Sequence, residues 1–350
     1  MSDFVLILLV KGRERFTERW LEYMARINFK HKLVIGNGNN KGNTFIKKII
    51  NKKKYSNLNI EYHSYNNQNY KNYYYMMYDI AKKQKSKYLK FCDNDDFILP
   101  HQLDNLIKLL KRDKKCISVG DRVMWFSLRG DNTYGNKIYF WPGNFYRTDE
   151  SFNIRDVKRV FTHFQEPFYN IFKKEIILKI LKEIYEINFV DLEIKGFYLQ
   201  LRLMSLGKTK FYNQISYVRQ HGTSQVSGSN FSYITNFVTK NIAEDVVKLK
   251  KNLVKNNKNN NLNKNLFLKE IENGYIAYLN NVVSHNLRSV NKKKLFKFKN
   301  ILKDKFPTIF FDIIRKIQYF KKNFFLKKYY YKDYELFKKE IYFVKKFLLI

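Results

Sequence analysis

The stretch Tyr88-Leu-Lys-Phe-Cys-Asp-Asn-Asp-Asp-Phe-Ile-Leu-Pro100 decides how the rest of the chain is read. Tyr88, Leu89, Phe91 and Cys92 form a short apolar run of the kind that makes a buried strand. It stops at three carboxylates, Asp93, Asp95 and Asp96, before Phe97, Ile98 and Leu99 resume the apolar character. Carboxylates crowded at a strand end repel one another and lose hydration, so they need a cation or many hydrogen-bond donors. Hard oxygen ligands on a turn suit Mg²⁺ or Mn²⁺, and such an ion suits a phosphate-bearing substrate. The plainer alternative is a polar turn whose aspartates cap a helix beginning near Pro100.

Upstream, Phe4-Val-Leu-Ile-Leu-Leu-Val10 is apolar without alternation, the mark of a strand covered on both faces, and Lys11-Gly12-Arg13 breaks it. Helical spacing follows over 16–27, a second strand over 31–35 ending in Gly36-Asn37-Gly38-Asn39-Asn40, a helix over 45–50, a strand over 59–63 and a helix over 73–83. Strands alternating with helices predict an α/β fold with a mostly parallel sheet, and ligands then bind beyond the carboxyl ends of its strands. Arg13, Asn37 and Asp93 to Asp96 all fall at such ends, on one rim.

Downstream, a helix is expected over 101–111, and Cys116–Val119 with Val123–Phe126 reads as one broken strand or two. Residues 127–160 read as loop and turn, and 166–185 as helical. Phe189 to Glu193 leads into a helix closed by Gly207, and Ile215 to Ser227 carries Y-V-R-Q-H-G-T-S. Domain boundaries are expected at 1–247 for the main unit, 248–265 for a Lys/Asn-rich linker and 266–350 for a basic, aromatic helical region. Within the last, Phe310, Ile313, Ile314, Ile317, Phe320 and Phe324 recur at helical spacing among lysines. Such a helix fits an anionic membrane surface, a partner helix or packing on the main domain.

The 350 residues suffice for a full core, and 45% hydrophobic with 28% charged residues is a globular composition. A net charge of +36, from 67 Lys+Arg against 31 Asp+Glu, attracts polyanions, although Lys, Asn, Ile, Tyr and Phe are abundant throughout. Two cysteines, Cys92 and Cys116, offer neither a disulfide framework nor metal-ligand spacing, so a reducing, cytoplasmic setting is expected. The N-terminal apolar run is too short for a signal-peptide core, and no stretch approaches the ~20 apolar residues that cross a bilayer.

The succession of strand, basic turn, helix, strand, polar turn and F-C-D-N-D-D-F-I-L-P resembles the GT-A fold glycosyltransferases, specifically inverting family 2. Asp93-Asn94-Asp95-Asp96 coincides with that family's Asp-x-Asp-Asp motif, and Y-V-R-Q-H-G-T-S is similar to its Tyr-Arg-x-His-Gly segment. Gly12-Arg13 stands where the family has Asn-Arg, and Asn37 where it has the aspartate that meets the nucleotide base. Leu201-Arg202-Leu203 aligns, but Lys195-Gly196 occupies the place of the family's Glu-Asp pair; Asp191 and Glu193 lie a few residues earlier.

The resemblance implies a metal-dependent transferase moving a sugar from a nucleotide-diphosphate sugar, a UDP-sugar first among them, to a hydroxyl of a glycan or lipid-linked acceptor with inversion. The setting it implies is surface polysaccharide or lipopolysaccharide synthesis at the inner face of a membrane. It assigns Mn²⁺ or Mg²⁺ to Asp95 and His221, the nucleotide sugar to Arg13, Asn37, Asp93 and Asn94, and the base to Asp191 with Glu193 second. His221 could instead cap a turn, Asp191 could cap the following helix, and Arg13 could pair with Glu14 or Glu18 on a surface turn. The competing classes are a nucleic-acid-binding module using lysines and aromatic stacking, and a transferase-like scaffold that binds sugars without turnover. The first explains the charge but leaves the strand-end carboxylates without a purpose, so no nucleic-acid partner is expected.

Overall fold

The structure, a computed structural model, describes residues 3–39, 43–67, 70–131, 133–142, 149–150, 153–164, 167–222, 240–256, 263–281, 284 and 334–349. Four strands open it: β1 (Phe4–Val10), β2 (Lys32–Asn37), β3 (Ile60–Ser64) and β4 (Tyr88–Asp93). They pair in parallel in the order β3-β2-β1-β4, with Val10 level with Asn37 and Leu9 level with Asp93. This register puts the ends of β1, β2 and β4 on one rim, as their sequences imply. Every residue of β1 is buried, because helices cover both faces of the sheet.

Helices α1 (Glu14–Arg26), α2 (Asn43–Ile50) and α4 (Pro100–Arg112) cover one face, where Trp20, Leu21, Ile46, Leu103 and Leu106 meet Leu6 and Leu8. On the other face α3 (Tyr70–Lys83), α6 (Lys174–Ile187) and α7 (Leu192–Leu206) bring Met76, Ile80, Ile180 and Phe197 to the cluster of Val5, Ile7 and Phe91. The alternation of side chains along β1 thus feeds two cores.

Beyond β4 the sheet becomes mixed. Strand β5 (Phe97–Ile98) is followed by β6 (Cys116–Arg129), β7 (Lys137–Pro142), β8 (Ile171–Lys173) and β9 (Lys208–Gln220). The full order is β3-β2-β1-β4-β8-β6-β9-β5, with β7 paired to β6. Strand β8 runs antiparallel to both β4 and β6, so β6 and its parallel partner β9 run in the direction of β4. β6 is one strand with register shifts between Gly120 and Val123, where the buried Asp121 accepts a hydrogen bond from the Ser216 N–H. The α/β fold implied by the family resemblance is therefore present, a parallel four-stranded unit with a mixed extension.

Three expectations change. Residues 127–160 hold the end of β6, strand β7 and α5 (Val157–Thr162), rather than loop alone. The 166–185 stretch holds a short turn (Pro167–Tyr169) and then β8 before the helix starts at Lys174. Residues 250–256 are not a solvated linker: they continue α8 (Lys240–Asn256), which buries Leu249 and Leu253 against the α7 side of the sheet. A further helix, α9, spans 264–281 and buries Phe267 and Ile271.

The C-terminal α10 (Tyr334–Leu348) packs on the main unit through Phe343 and Phe347, which meet Tyr23 at ring separations of 6.0 and 5.6 Å. Its Glu340 accepts a hydrogen bond from the His101 N–H at the head of α4. The basic, aromatic segment 310–331 lies outside the described residues. Among the described residues, no helix is long and apolar enough to cross a membrane.

Candidate active site

Strand β4 delivers Asp93 to the rim, and the turn into β5 presents Asp95 and Asp96 beside it. One oxygen from each of the three carboxylates lies within 4.8 Å of the others. A single divalent ion with oxygen ligands at about 2.0–2.6 Å can bridge groups so spaced. The donor set, all hard oxygen, fits Mg²⁺ or Mn²⁺.

Each carboxylate has a different neighbour. Asp93 Oδ2 accepts a hydrogen bond from the Tyr169 hydroxyl at 2.9 Å, and Asp95 Oδ2 meets an Arg13 guanidinium nitrogen at 2.5 Å. Asp96 is buried, with Tyr217 donating to Oδ2 and the Gln220 N–H to Oδ1 at 2.8 Å. Burial, followed by the charge of Asp95, pushes Asp96 well above the ordinary carboxylate range; Asp93 adds to this, while Arg219 and the Tyr217 hydrogen bond oppose it. Asp96 is thus the inner member that fastens the acidic turn to the end of β9. Asp93 and Asp95 are the pair left to face a ligand.

Arg13 arrives through an unusual turn. Gly12 and Arg13 both adopt left-handed backbone angles, with φ of 70° and 60°, immediately before α1. A non-glycine residue held there costs on the order of 1 kcal/mol, and such outliers cluster at functional sites. The Arg13 guanidinium lies over the Phe16 ring, and its buried Nε has no hydrogen-bond acceptor. Arg19 also lies over the Phe16 ring and donates to the carbonyls of Asp95 (2.9 Å) and Thr133 (2.7 Å). Burial draws Arg19 down to about 10, which leaves it protonated at neutral pH.

Two of the expected nucleotide contacts face inward. Asn94 donates to Thr17 Oγ1 at 2.9 Å and to the Arg13 carbonyl at 3.2 Å, bracing the acidic turn against α1. Asn37 is fully buried; its Oδ1 accepts the Asn39 N–H and its Nδ2 donates to Tyr62, shaping the turn after β2. Their side-chain amides hold the rim in shape, at the ends of the two strands, β2 and β4, that flank β1 in the sheet.

Asp191 occupies the N-cap of α7, where Oδ1 accepts the Ile194 N–H at 2.9 Å. Helix α7 leads through Gly207 into the start of β9, so it runs back against the strands and its head lies toward the carboxyl-end rim. Asp245, on α8, accepts the N–H groups of Val190 and Asp191 at 2.6 and 2.7 Å. Burial raises the Asp191 pKa, the charge of Asp245 adds to the rise, and hydrogen bonds from Ile194 and Glu193 restrain it. Lys195, one turn along and against the Tyr74 ring, is drawn down by burial to about 8. Glu193 lies in the first turn of α7.

His221 stands outside the carboxylate group. Its N–H donates to the Phe126 carbonyl at 2.7 Å, and its exposed ring meets Trp125 and Trp141 edge-on at 6.1 and 5.7 Å. Sequence reasoning missed Tyr169, Tyr217, Arg219 and Asp245. Tyr169, in the turn before β8, and Tyr217 and Arg219, on β9, surround the acidic turn; the last two lay within a motif, the one read for its histidine.

No family model matches this sequence, and no curated protein matches it. Among solved structures the chain is similar to S. aureus TarS 1–349, with a TM-score of 0.49 and 13% identity over 79% of this chain and 72% of that one. The same fragment in complex with UDP gives 0.48 and 13% over 77% and 70%. The mannosyltransferase PcManGT from Pyrobaculum calidifontis, in complex with GDP-Man and Mn²⁺, gives 0.44 and 10% over 79% and 69%.

Proposed function

We propose that this chain is a divalent-metal-dependent glycosyltransferase that moves a sugar from a nucleotide-diphosphate sugar to an acceptor hydroxyl with inversion. The observation that carries the reading is the pairing of a crowded acidic rim with Arg13. Arg13 neutralises one carboxylate and still holds a buried donor without an acceptor, a place suited to a phosphate oxygen.

Asp93 and Asp95 would hold Mn²⁺ or Mg²⁺. When bound, such an ion offsets negative charge on a departing diphosphate. Arg13 supplies a second positive group on the β1 side, and its left-handed turn fixes that group before substrate arrives. Asp191, its acidity weakened by burial, accepts the proton of the acceptor hydroxyl. The hydroxyl oxygen forms its bond to the anomeric carbon while the bond to the diphosphate breaks on the opposite face, and the electron pair leaves with the diphosphate. The two N–H groups held by Asp245 keep Asp191 in its extended cap conformation, so the accepting oxygen does not wander.

The donor class favoured is a UDP-sugar, and the acceptor class a glycan or lipid-linked hydroxyl, as the family resemblance implies. The test is nucleoside-diphosphate release from a panel of UDP- and GDP-sugars, with Mn²⁺ or with a chelator. Release with Mn²⁺ that disappears in Asp95→Ala supports the proposal. A panel in which no nucleotide sugar is turned over, and none raises the melting temperature with or without metal, would overturn it.

A further inference from the structure

On the other flank of the acidic rim, three strands place a row of side chains on one face. Trp141 on β7 is the register partner of Trp125 on β6, and Trp125 is in turn the partner of Arg219 on β9. Residues opposed across a ladder share a face, and so do residues two apart along a strand. His221 therefore joins Arg219, and Tyr139, 51% exposed, joins Trp141. The alternate rung, Phe126 with Phe140 at 6.0 Å, turns into the core, whereas the tryptophan rung is only half-buried, Trp125 touching the edge of that core.

The row is continuous with the acidic cluster. Arg219 stacks its guanidinium at 4.9 Å over Trp125 and at 4.9 Å over Tyr169, and the Tyr169 hydroxyl bonds Asp93. Sheet order separates this flank from the arginine turn. Arg13 follows β1 on one side of β4, whereas Tyr169 precedes β8 on the other, with β6 beyond it. A donor whose phosphates meet Arg13 thus leaves the β8 and β6 side for the second substrate.

We propose that Trp125, Trp141, His221 and Arg219 form the platform that binds a sugar ring of the acceptor. A pyranose presents an apolar C–H face that stacks on indole, with hydroxyls at its edge for a guanidinium and an imidazole. Two half-buried indoles in register, an exposed imidazole held edge-on to both, and a guanidinium locked between aromatic rings supply these partners without rearrangement. The word acceptor rests on the transferase reading above; sugar binding by the platform does not.

The chain has three tryptophans, and the third, Trp20, is 1% exposed in the core. Intrinsic fluorescence therefore reports on the platform. Full-length protein is titrated, without donor or metal, with the methyl pyranosides of glucose, galactose, mannose and N-acetylglucosamine, and separately with a single-stranded oligothymidylate. We expect at least one glycoside to change the emission saturably. Trp141→Ala should weaken that binding about tenfold and Trp125→Phe, which keeps a ring, by less, with both variants unchanged in far-ultraviolet dichroism. His221→Phe, which keeps a ring but loses the edge hydrogen bond, should weaken the response by less than Trp141→Ala. The proposal is overturned if no glycoside perturbs the emission, if only the oligonucleotide does, or if the response persists in the Trp125→Ala/Trp141→Ala double variant. Asp95→Ala should leave the glycoside response intact, so failure of the transferase reading and failure of the platform give different results.

Discussion

Among the described residues, the acidic side chains at the head of α7 and those at the end of β4 are stabilised in opposite ways. At the head of α7, Asp191 and Asp245 are satisfied by backbone N–H groups: one caps the helix and the other fixes the two residues before it. At the end of β4, Asp93, Asp95 and Asp96 face one another within 4.8 Å and rely on side chains from the turns before α1 and β8 and from β9. Backbone-satisfied carboxylates are held in place without calling for a further cation. Mutually repelling ones, restrained by tyrosines and an arginine, keep a demand for further positive charge.

Substitutions can break this contrast, and the largest effect is expected at the strand end. Asp95→Ala should lower metal-dependent transfer by at least about a hundredfold with the fold retained, as turnover and circular dichroism together would show. Asp191→Asn should cut turnover by about 10²–10⁴ while donor affinity measured by calorimetry stays the same; the same loss in Glu193→Gln instead would move the base to Glu193.

Asp245→Ala sharpens the contrast, because it strands two N–H groups and should cost about 2–4 kcal/mol in denaturant unfolding. Asp245→Asn removes the charge that raises Asp191, so the acidic limb of the kcat/KM profile should move to lower pH.

The smallest effect is expected away from both groups, at Glu340 on α10, whose carboxyl is pushed up by burial to about 7. The native state then binds more protons than the unfolded chain between about pH 4.5 and 7. Stability from this group is therefore lost as pH rises through that window, on the order of 3 kcal/mol at most. Glu340→Gln should flatten the melting temperature across the window; an unchanged pH slope would show that Glu340 does not set it.

How far the sequence reveals these features follows from the same physics. Strand β1 was legible because burial on both faces writes an unbroken apolar run, and β4 because its shorter apolar run is ended abruptly by the Asp motif. β8 is three residues long and flows directly into α6, so helical spacing masks it. In β7, Lys-Ile-Tyr-Phe-Trp-Pro lacks clean alternation because the face opposite its core side is also aromatic. Lysines at 250 and 251 suggested a solvated tract, yet Leu249 and Leu253, four apart, pin α8 to the core. Asp93, Asp95 and Asp191 could be singled out from local pattern. Asp245 could not, since its partners are 54 and 55 residues away and no periodicity links them. For His221 the motif was visible but its surroundings were not, because Trp125 and Trp141 reach it only through strand pairing.

The most direct test of the central claim is Mn²⁺ binding followed by electron paramagnetic resonance, in the full chain with and without UDP. The account predicts one bound ion per chain, held more tightly when UDP is present and lost in the Asp93→Asn/Asp95→Asn double variant. UDP binding that is indifferent to Mn²⁺ and to chelator, or Mn²⁺ binding that survives the double variant, would contradict it.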